Sequence, residues 1–306
     1  MNPTPISNLK VTKVGHSPED VLPDKDGSVI TGLKDGRILR ISPDGSISEV
    51  ANTGGRPLGL DFLHDGRLLV CDTQLGLLAI DPQSGQIETL VAQGTASLHV
   101  CNNPAVAEDG RIFFSDSTQQ NSENEAPKDI IDMVPTGRLL CRYPDGRVEI
   151  VVEELLFANG VIVAPDQSFV LVAQTGKACI NRLWLTGDKA GQQDMFATNM
   201  PGLPDNLAIG SDGLIWVALV SPFSDLLKRL HSLPYFARYL IARLPQSLQP
   251  EQPLFCRLGA YDLDGNLVHL FEGDKDIYHF VTGVREKDGT LYMGTFEGDS
   301  IAQFSR

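Results

Sequence analysis

Along this chain short apolar runs alternate with polar corners, and the most frequent corner is Asp-Gly, which occurs nine times. Five of these lead directly into a β-rich run: DGSVITGL from Asp26, DGRLLVCD from Asp65, DGRIFFSD from Asp109, DGLIWVAL from Asp212 and DGTLYMGT from Asp288. Glycine at such a corner supplies the positive φ that a hairpin turn needs, so each copy predicts a strand on either side. A sixth copy, DQSFVLVA from Asp166, keeps the pattern without the glycine. Between copies lies a second hairpin, seen in GRILRISPDGSISEV, GLLAIDPQSGQIETL, GRLLCRYPDGRVEIV and LGAYDLDGNLVHLF. Each unit then holds about four short strands in roughly forty residues or more, the period of a β-propeller blade.

Six copies predict an all-β fold, a six-bladed β-propeller, with residues 1–306 forming one domain. The last copy ends soon after its third strand, SIAQFSR, and NLKVTKVG near the start is available as the strand that completes that blade. A β-sandwich of similar strand content does not account for six phased repeats. Two stretches break the period. After Ser117 comes the polar insertion QQNSENEAPKDIIDMVPTG. After Val220 comes the one clearly helical stretch, in which Leu226, Leu230 and Leu233 share a face, and Phe236, Leu240 and Arg243 continue a second helix beyond Pro234. Lys228, Arg229, Arg238 and Arg243 make it locally basic. Insertions in repeat folds gather on one face, often the binding face, so 221–250 reads as a lid, with a dimer contact or a membrane-touching helix as the alternative.

Composition narrows the partners. Asp and Glu outnumber Lys and Arg by 39 to 25, a net charge of -14, which disfavours nucleic-acid phosphates and anionic lipid. No apolar run is long enough to span a bilayer, and Met1 to Lys10 lacks the apolar segment of a secretory signal. The five cysteines, odd in number and scattered, fit reduced thiols. The expectation is a soluble cytoplasmic protein without a stable membrane anchor, acting on a small molecule.

The repeat also locates the chemistry. The residue seven before the Asp of each corner begins the strand that lines the channel, and across the six copies it is Glu19, Leu58, Asn102, Asn159, Asp205 and Val281. Four of the six carry side-chain oxygens, and near-sixfold rotation aims them at one point on the axis. Two carboxylates and two amides make no hydrolytic triad, but they suit a hard divalent cation, above all Ca2+, with Mg2+, Mn2+ or Zn2+ as other candidates. Four protein oxygens leave about two to four coordination positions for water and substrate. Asp20, Asn103 and Asn206 follow proposed ligands by one residue, and of these Asn206 is placed near the metal. His99 and His279 precede inner strands three and six at mouth height, where either is a candidate proton carrier.

With these residues in view, the chain resembles the calcium-dependent six-bladed propellers that include senescence marker protein 30, gluconolactonase, the paraoxonases and the squid-type fluorophosphatase, and among them the strictosidine-synthase-like branch. The likeness rests on PEDV at Pro18, GRPLGLDF at Gly55, GLLAID at Gly76, the Asn102 strand ending in FFSDS, LLFANGV at Leu155, PGLPDNL at Pro201 and REKDGTLYMGT at Arg285. Carried over by position, it implies Glu19, Asn102, Asn159 and Asp205 as metal ligands. It also implies that Thr282 stands where strictosidine synthases use a glutamate, which speaks against their amine-aldehyde condensation. The paraoxonases carry Asn-Asp where this chain has Asn102-Asn103, which speaks against a second, structural calcium. The function this suggests is a metal-dependent hydrolase of lactones, aryl esters or related activated esters. Asp205 would be base or nucleophile and Asn159 would act beside it. Leu58, Val281, Phe223 and Phe236 would form an apolar wall, with Asn206, His279 and Thr282 also at the substrate. The alternatives are a condensing enzyme and a non-catalytic ligand-binding propeller with a structural ion.

Overall fold

In the computed structural model, which describes residues 1–245 and 253–306, six sheets follow one another around a central channel. From the channel outward, blade 1 is Val21–Pro23, Val29–Gly32, Arg37–Ile41 and Ile47–Asn52; blade 2 is Pro57–Phe62, Leu68–Asp72, Gly76–Ile80 and Ile87–Ala92. Blade 3 is Cys101–Val106, Ile112–Asp116, Gly137–Arg142 and Val148–Leu155; blade 4 is Ala158–Val163, Phe169–Gln174, Cys179–Trp184 and Gln193–Ala197. Blade 5 is Leu203–Ile209, Ile215–Ser221, Arg257–Tyr261 and Leu267–Glu272, extended by a fifth strand, Thr4–Pro5, that runs parallel to Leu267–Glu272. The sequence pattern gave no sign of that fifth strand. Blade 6 is Val281–Lys287, Thr290–Thr295 and Ser300–Ser305, and its outer strand is Lys10–Lys13, so the two ends of the chain close the ring as expected.

Apolar side chains fill the spaces between sheets. Leu22, Ile30 and Ile38 of blade 1 meet Leu60, Leu68, Val70 and Leu78 of blade 2, and Trp216 and Leu258 of blade 5 meet Val281 and Met293 of blade 6. All five cysteines are buried in this packing and unpaired.

The recurring Asp has a backbone role at its corner. Its Oδ1 accepts the N–H two residues on, at Asp26 (Ser28, 2.9 Å), Asp65 (Arg67, 3.1 Å), Asp109 (Arg111, 3.0 Å), Asp166 (Ser168, 3.0 Å) and Asp212 (Leu214, 3.0 Å). Where the glycine is missing, Gln167 itself takes the left-handed conformation, with φ 61.

Blade 6 turns differently. Asp288 (φ 51) and Gly289 (φ 81) form a two-residue loop between paired Lys287 and Thr290, whereas blade 2 pairs Phe62 with Leu68 around a longer corner. The inner strand of blade 6 is therefore one residue closer to its corner. Val281↔Thr295 and Val284↔Met293 match Pro57↔Asp72 and Leu60↔Val70, so the place Leu58 holds in blade 2 belongs in blade 6 to Thr282. Counting seven back from Asp288 goes one residue too far, and Val281 packs in the core instead of lining the channel.

With that register the channel-lining places are Glu19, Leu58, Asn102, Asn159, Asp205 and Thr282, and the next residues are Asp20, Gly59, Asn103, Gly160, Asn206 and Gly283. Polar residues and glycines alternate around the ring. Each glycine faces the following blade at a distance that excludes a side chain: a Cβ would come within 2.4 Å of Asn103 Nδ2 at Gly59, 2.5 Å of Leu207 N at Gly160 and 2.8 Å of Asp20 Cα at Gly283. Every junction is also bonded. Asp20 Oδ2 accepts from Leu60 N (3.0 Å), Asp61 Oδ2 from Val106 N (3.2 Å), Asn103 Oδ1 from Val161 N (2.9 Å) and Glu286 Oε2 from Ser211 N (2.6 Å). Thr175 Oγ1 donates to Pro204 O (2.7 Å) and Thr282 Oγ1 to Glu19 O (2.7 Å).

Gly160 has no left-handed φ, so its need for glycine is purely steric. Gly160→Ala is expected to destabilise the fold by about 1–3 kcal/mol through overpacking. Urea unfolding checks this, and an unchanged midpoint would contradict the close approach.

Candidate metal centre

Glu19 reaches the channel from a loop that is tightly held. Ser17, two residues before it, has φ 58, and its Oγ donates to Phe296 O (2.5 Å). The Arg56 guanidinium, only 1% exposed, donates from Nη1 to Ser17 O (3.0 Å) and from Nη2 to Ser17 Oγ (2.7 Å). The other three predicted ligands come from equivalent places on their inner strands, and all four are buried, with exposures of 3–6%. Asn206 joins them: its Nδ2 donates to Glu19 Oε1 at 3.1 Å.

Five buried oxygens in this group have no hydrogen-bond partner: Glu19 Oε2, Asn102 Oδ1, Asn159 Oδ1, Asp205 Oδ1 and Asn206 Oδ1. Buried polar atoms are ordinarily satisfied, and five orphaned acceptors in one ring, with no imidazole or thiol among them, fit a hard cation bound through oxygen. Two carboxylates and three amides match both its charge and its preference for mixed oxygen donors. Among the described residues no group of three or more His, Cys, Asp or Glu side chains is placed to hold an ion, so a centre here has to draw on the amides.

The electrostatics are consistent with this. Burial, reinforced by the charge of Asp20, pushes Glu19 up to about 8, against the opposing pull of Arg56. Burial, together with the charges of Glu19 and Asp20, raises Asp205 well above the usual carboxylate range, while the Asn159 amide favours its charged form. A divalent cation among these groups would offset the repulsion and hold both carboxylates ionised.

Residues 18–224 match the sequence model of the SMP-30/Gluconolactonase/LRE-like region. The chain belongs to the SMP-30/gluconolactonase/LRE-like family. Its relatives include the adipocyte plasma membrane-associated protein of Rattus norvegicus, 30% identical over 305 residues that cover 90% of this chain and 80% of that protein. Strictosidine synthase-like protein 6 of Arabidopsis thaliana is 29% identical over 288 residues, covering 92% and 76%. Among solved structures, a gluconolactonase from Xanthomonas campestris superposes with a TM-score of 0.71 at 16% identity, covering 100% of this chain and 95% of that one. The calcium-binding protein regucalcin from Agrobacterium tumefaciens gives 0.67 at 13%, covering 99% and 95%. At these identities the two superpositions establish the fold.

In this SMP-30/gluconolactonase-type propeller both insertions leave from the loops between the second and third strands of blades 3 and 5, on the face where the inner strands begin. The helix Ala126–Asp132 (α1) of the first packs against Asp225–His231 (α2) and Tyr235–Ala242 (α3) of the second. His231 Nε2 meets Ile130 O at 2.8 Å and Arg243 Nη1 donates to Asp132 Oδ2 at 2.7 Å, joining the two into one cap. Residues 246–250 of the expected lid lie outside the described residues.

Several expected substrate contacts are placed elsewhere. Phe236 is 68% exposed and points to solvent, because α3 turns its other side toward α1; Leu226 and Leu240, at 52% and 62%, share this outward exposure. Phe223 is half-buried against the His231 ring (5.7 Å). His279 is tied by Nδ1 to Lys275 O (2.9 Å) within its own loop, and exposed His99 by Nδ1 to Thr118 O (3.0 Å). Leu58 keeps its buried ring place, and Thr282 spends its hydroxyl on Glu19 O. Among the described residues, no helix is long and apolar enough to cross a membrane.

The raised Glu19 carboxyl sets a pH dependence. Unfolded, it loses its proton near 4.5; folded and without metal, it keeps it up to about 8. The fold then binds more protons than the unfolded chain between these values, and stability falls as pH rises through that window. In chelator, Tm is expected to drop from about pH 5 to about pH 8. Saturating calcium should restore more of it at the higher pH, since the ion displaces the proton. Thermal unfolding at both pH values checks this, and a Tm in chelator that rises across the window would contradict it.

Proposed function

We propose that this protein is a metal-dependent hydrolase of lactones, aryl esters or related activated esters, with calcium as the preferred ion. The observation that carries the reading is the ring of five buried, unpartnered oxygens, in a family that takes its name in part from gluconolactonase. Glu19, Asn102, Asn159, Asp205 and Asn206 would hold the ion. A divalent cation bound there supplies Lewis acidity for a scissile carbonyl or phosphoryl oxygen and for the negative charge that develops on it. Asp205 takes the role of base or nucleophile, since it lies beside the Asn159 amide that favours its ionised form. Arg56 holds the Ser17 turn and so fixes where the Glu19 carboxylate points. The condensing alternative is disfavoured, because Thr282 has no carboxyl group and its hydroxyl is committed to Glu19 O.

One observation favours a non-catalytic propeller with a structural ion. The ring ligands are nearly closed off from solvent, and two hollows elsewhere contain none of them: one of ≈ 460 Å³ lined by Pro3, Pro5, Ile6 and Glu272, and one of ≈ 260 Å³ between blades 3 and 4 lined by Phe113, Tyr143 and Trp184. Hydrolysis would require a path for substrate to reach the ring. The two readings separate on a calcium-loaded sample assayed against a panel of lactones and phenyl esters. Hydrolysis that falls at least about 100-fold in Asp205→Asn, with the fold intact by circular dichroism, is the expected result. Unchanged turnover in Asp205→Asn would overturn the role given to Asp205, and a folded, calcium-stabilised protein inert on every substrate would favour the structural ion.

A further inference from the structure

Beneath the ring, one side chain crosses the channel. Arg285, on the inner strand of blade 6, donates from Nη2 to Asp20 Oδ2 of blade 1 (2.8 Å) and to Leu60 O of blade 2 (2.9 Å), and from Nη1 to Leu207 O of blade 5 (3.5 Å) and Val284 O (3.0 Å). Leu60 and Leu207 hold equivalent places, two residues beyond Leu58 and Asp205, and blades 2 and 5 are opposite each other in a ring of six. A guanidinium bonded to matching carbonyls on opposite blades is on the axis. At about 3.3 Å per residue it lies roughly 6–7 Å below the five orphaned oxygens.

A carboxylate and several inner-strand carbonyls converging in a channel are the donors that hard cations take. We propose that this lower level is a second axial cation site whose permanent occupant is the Arg285 guanidinium. The side chain meets the charge of Asp20, leaves no place for an inorganic ion at that level, and closes the channel from below. The ring above then exchanges ions and small molecules only through the capped face. Arginine suits the task, because its planar fork reaches acceptors on both sides of the axis at once, which a single ammonium does not.

The test uses Arg285→Ala in the full chain, with wild type as reference. The Tm of the variant is expected to fall by about 5 °C or more, because Asp20 and three inner-strand carbonyls lose this donor. Millimolar methylguanidinium should recover part of the loss in the variant and leave wild type unmoved. Calorimetric titration with calcium should show one more equivalent per chain in the variant than in wild type. Recovery by either cation supports the proposal. Recovery by neither, with equal calcium counts in the two proteins, would overturn it and leave Arg285 as a packing strut. Should Arg285→Ala not fold, Arg285→Lys keeps the charge: it is expected to fold with a lowered Tm and no additional ion, and uptake of an extra calcium by that variant would contradict the proposal. The methylguanidinium result does not depend on whether the upper ring binds calcium, so failure here is distinguishable from failure of the hydrolase reading.

Discussion

Two carboxylates, Glu19 and Asp205, are carried by blades 1 and 5 into a space that water scarcely reaches; burial and the charge of Asp20 raise the proton affinity of both, and the charge of Glu19 raises that of Asp205 further. Much of the inner structure answers to this charge problem. Asn206 donates to one carboxylate and the Asn159 amide favours ionisation of the other. Arg56 and Arg285 place positive charge near Glu19 from the mouth side and from below, and both lower its proton affinity. Neither arginine contacts the orphaned oxygens, so the acceptors stay available for an ion.

Holding that arrangement demands an unusually close approach of the inner strands. The alternation of Asp20, Asn103 and Asn206 with Gly59, Gly160 and Gly283 gives the six-bladed ring a threefold character: polar side chains on odd blades, bare backbone on even ones. Asp20 and Asn103 use their side chains to bond the next blade at Leu60 and Val161, while Asn206 turns its amide to Glu19. The third polar place is thus diverted from joining blades to the ring of orphaned oxygens. Ring geometry and candidate chemistry are therefore one design, and a Cβ at any of the three glycines would disturb both.

Much of this was legible in the sequence because the fold repeats. The Asp-Gly corners work as local turns, so their spacing carries over to the strands they start, and counting back from four of them, and from the Asp166-Gln167 corner, lands on the channel. The count fails at Asp288 because a two-residue loop shortens that corner, a difference of one residue that the bare dipeptide does not reveal. Arg56 and Arg285 were missed for another reason. Each acts on residues distant in the chain, Arg56 on Ser17 and Arg285 on Asp20, and neither the turn before Pro57 nor the Arg285-Glu286-Lys287 run carries a local signal of that partner. The expected lid illustrates a third limit. Helical periodicity located α2 and α3, but which side faces inward depends on α1, supplied by the other insertion, so Phe236 points outward.

The central claim is that the five orphaned oxygens share one divalent cation. The most direct measurement is an anomalous difference map from crystals grown with manganese in place of calcium. One peak on the axis, about 2.0–2.6 Å from oxygens of Glu19, Asn102, Asn159, Asp205 and Asn206, is the predicted result. An axis without a peak at that level would contradict the account.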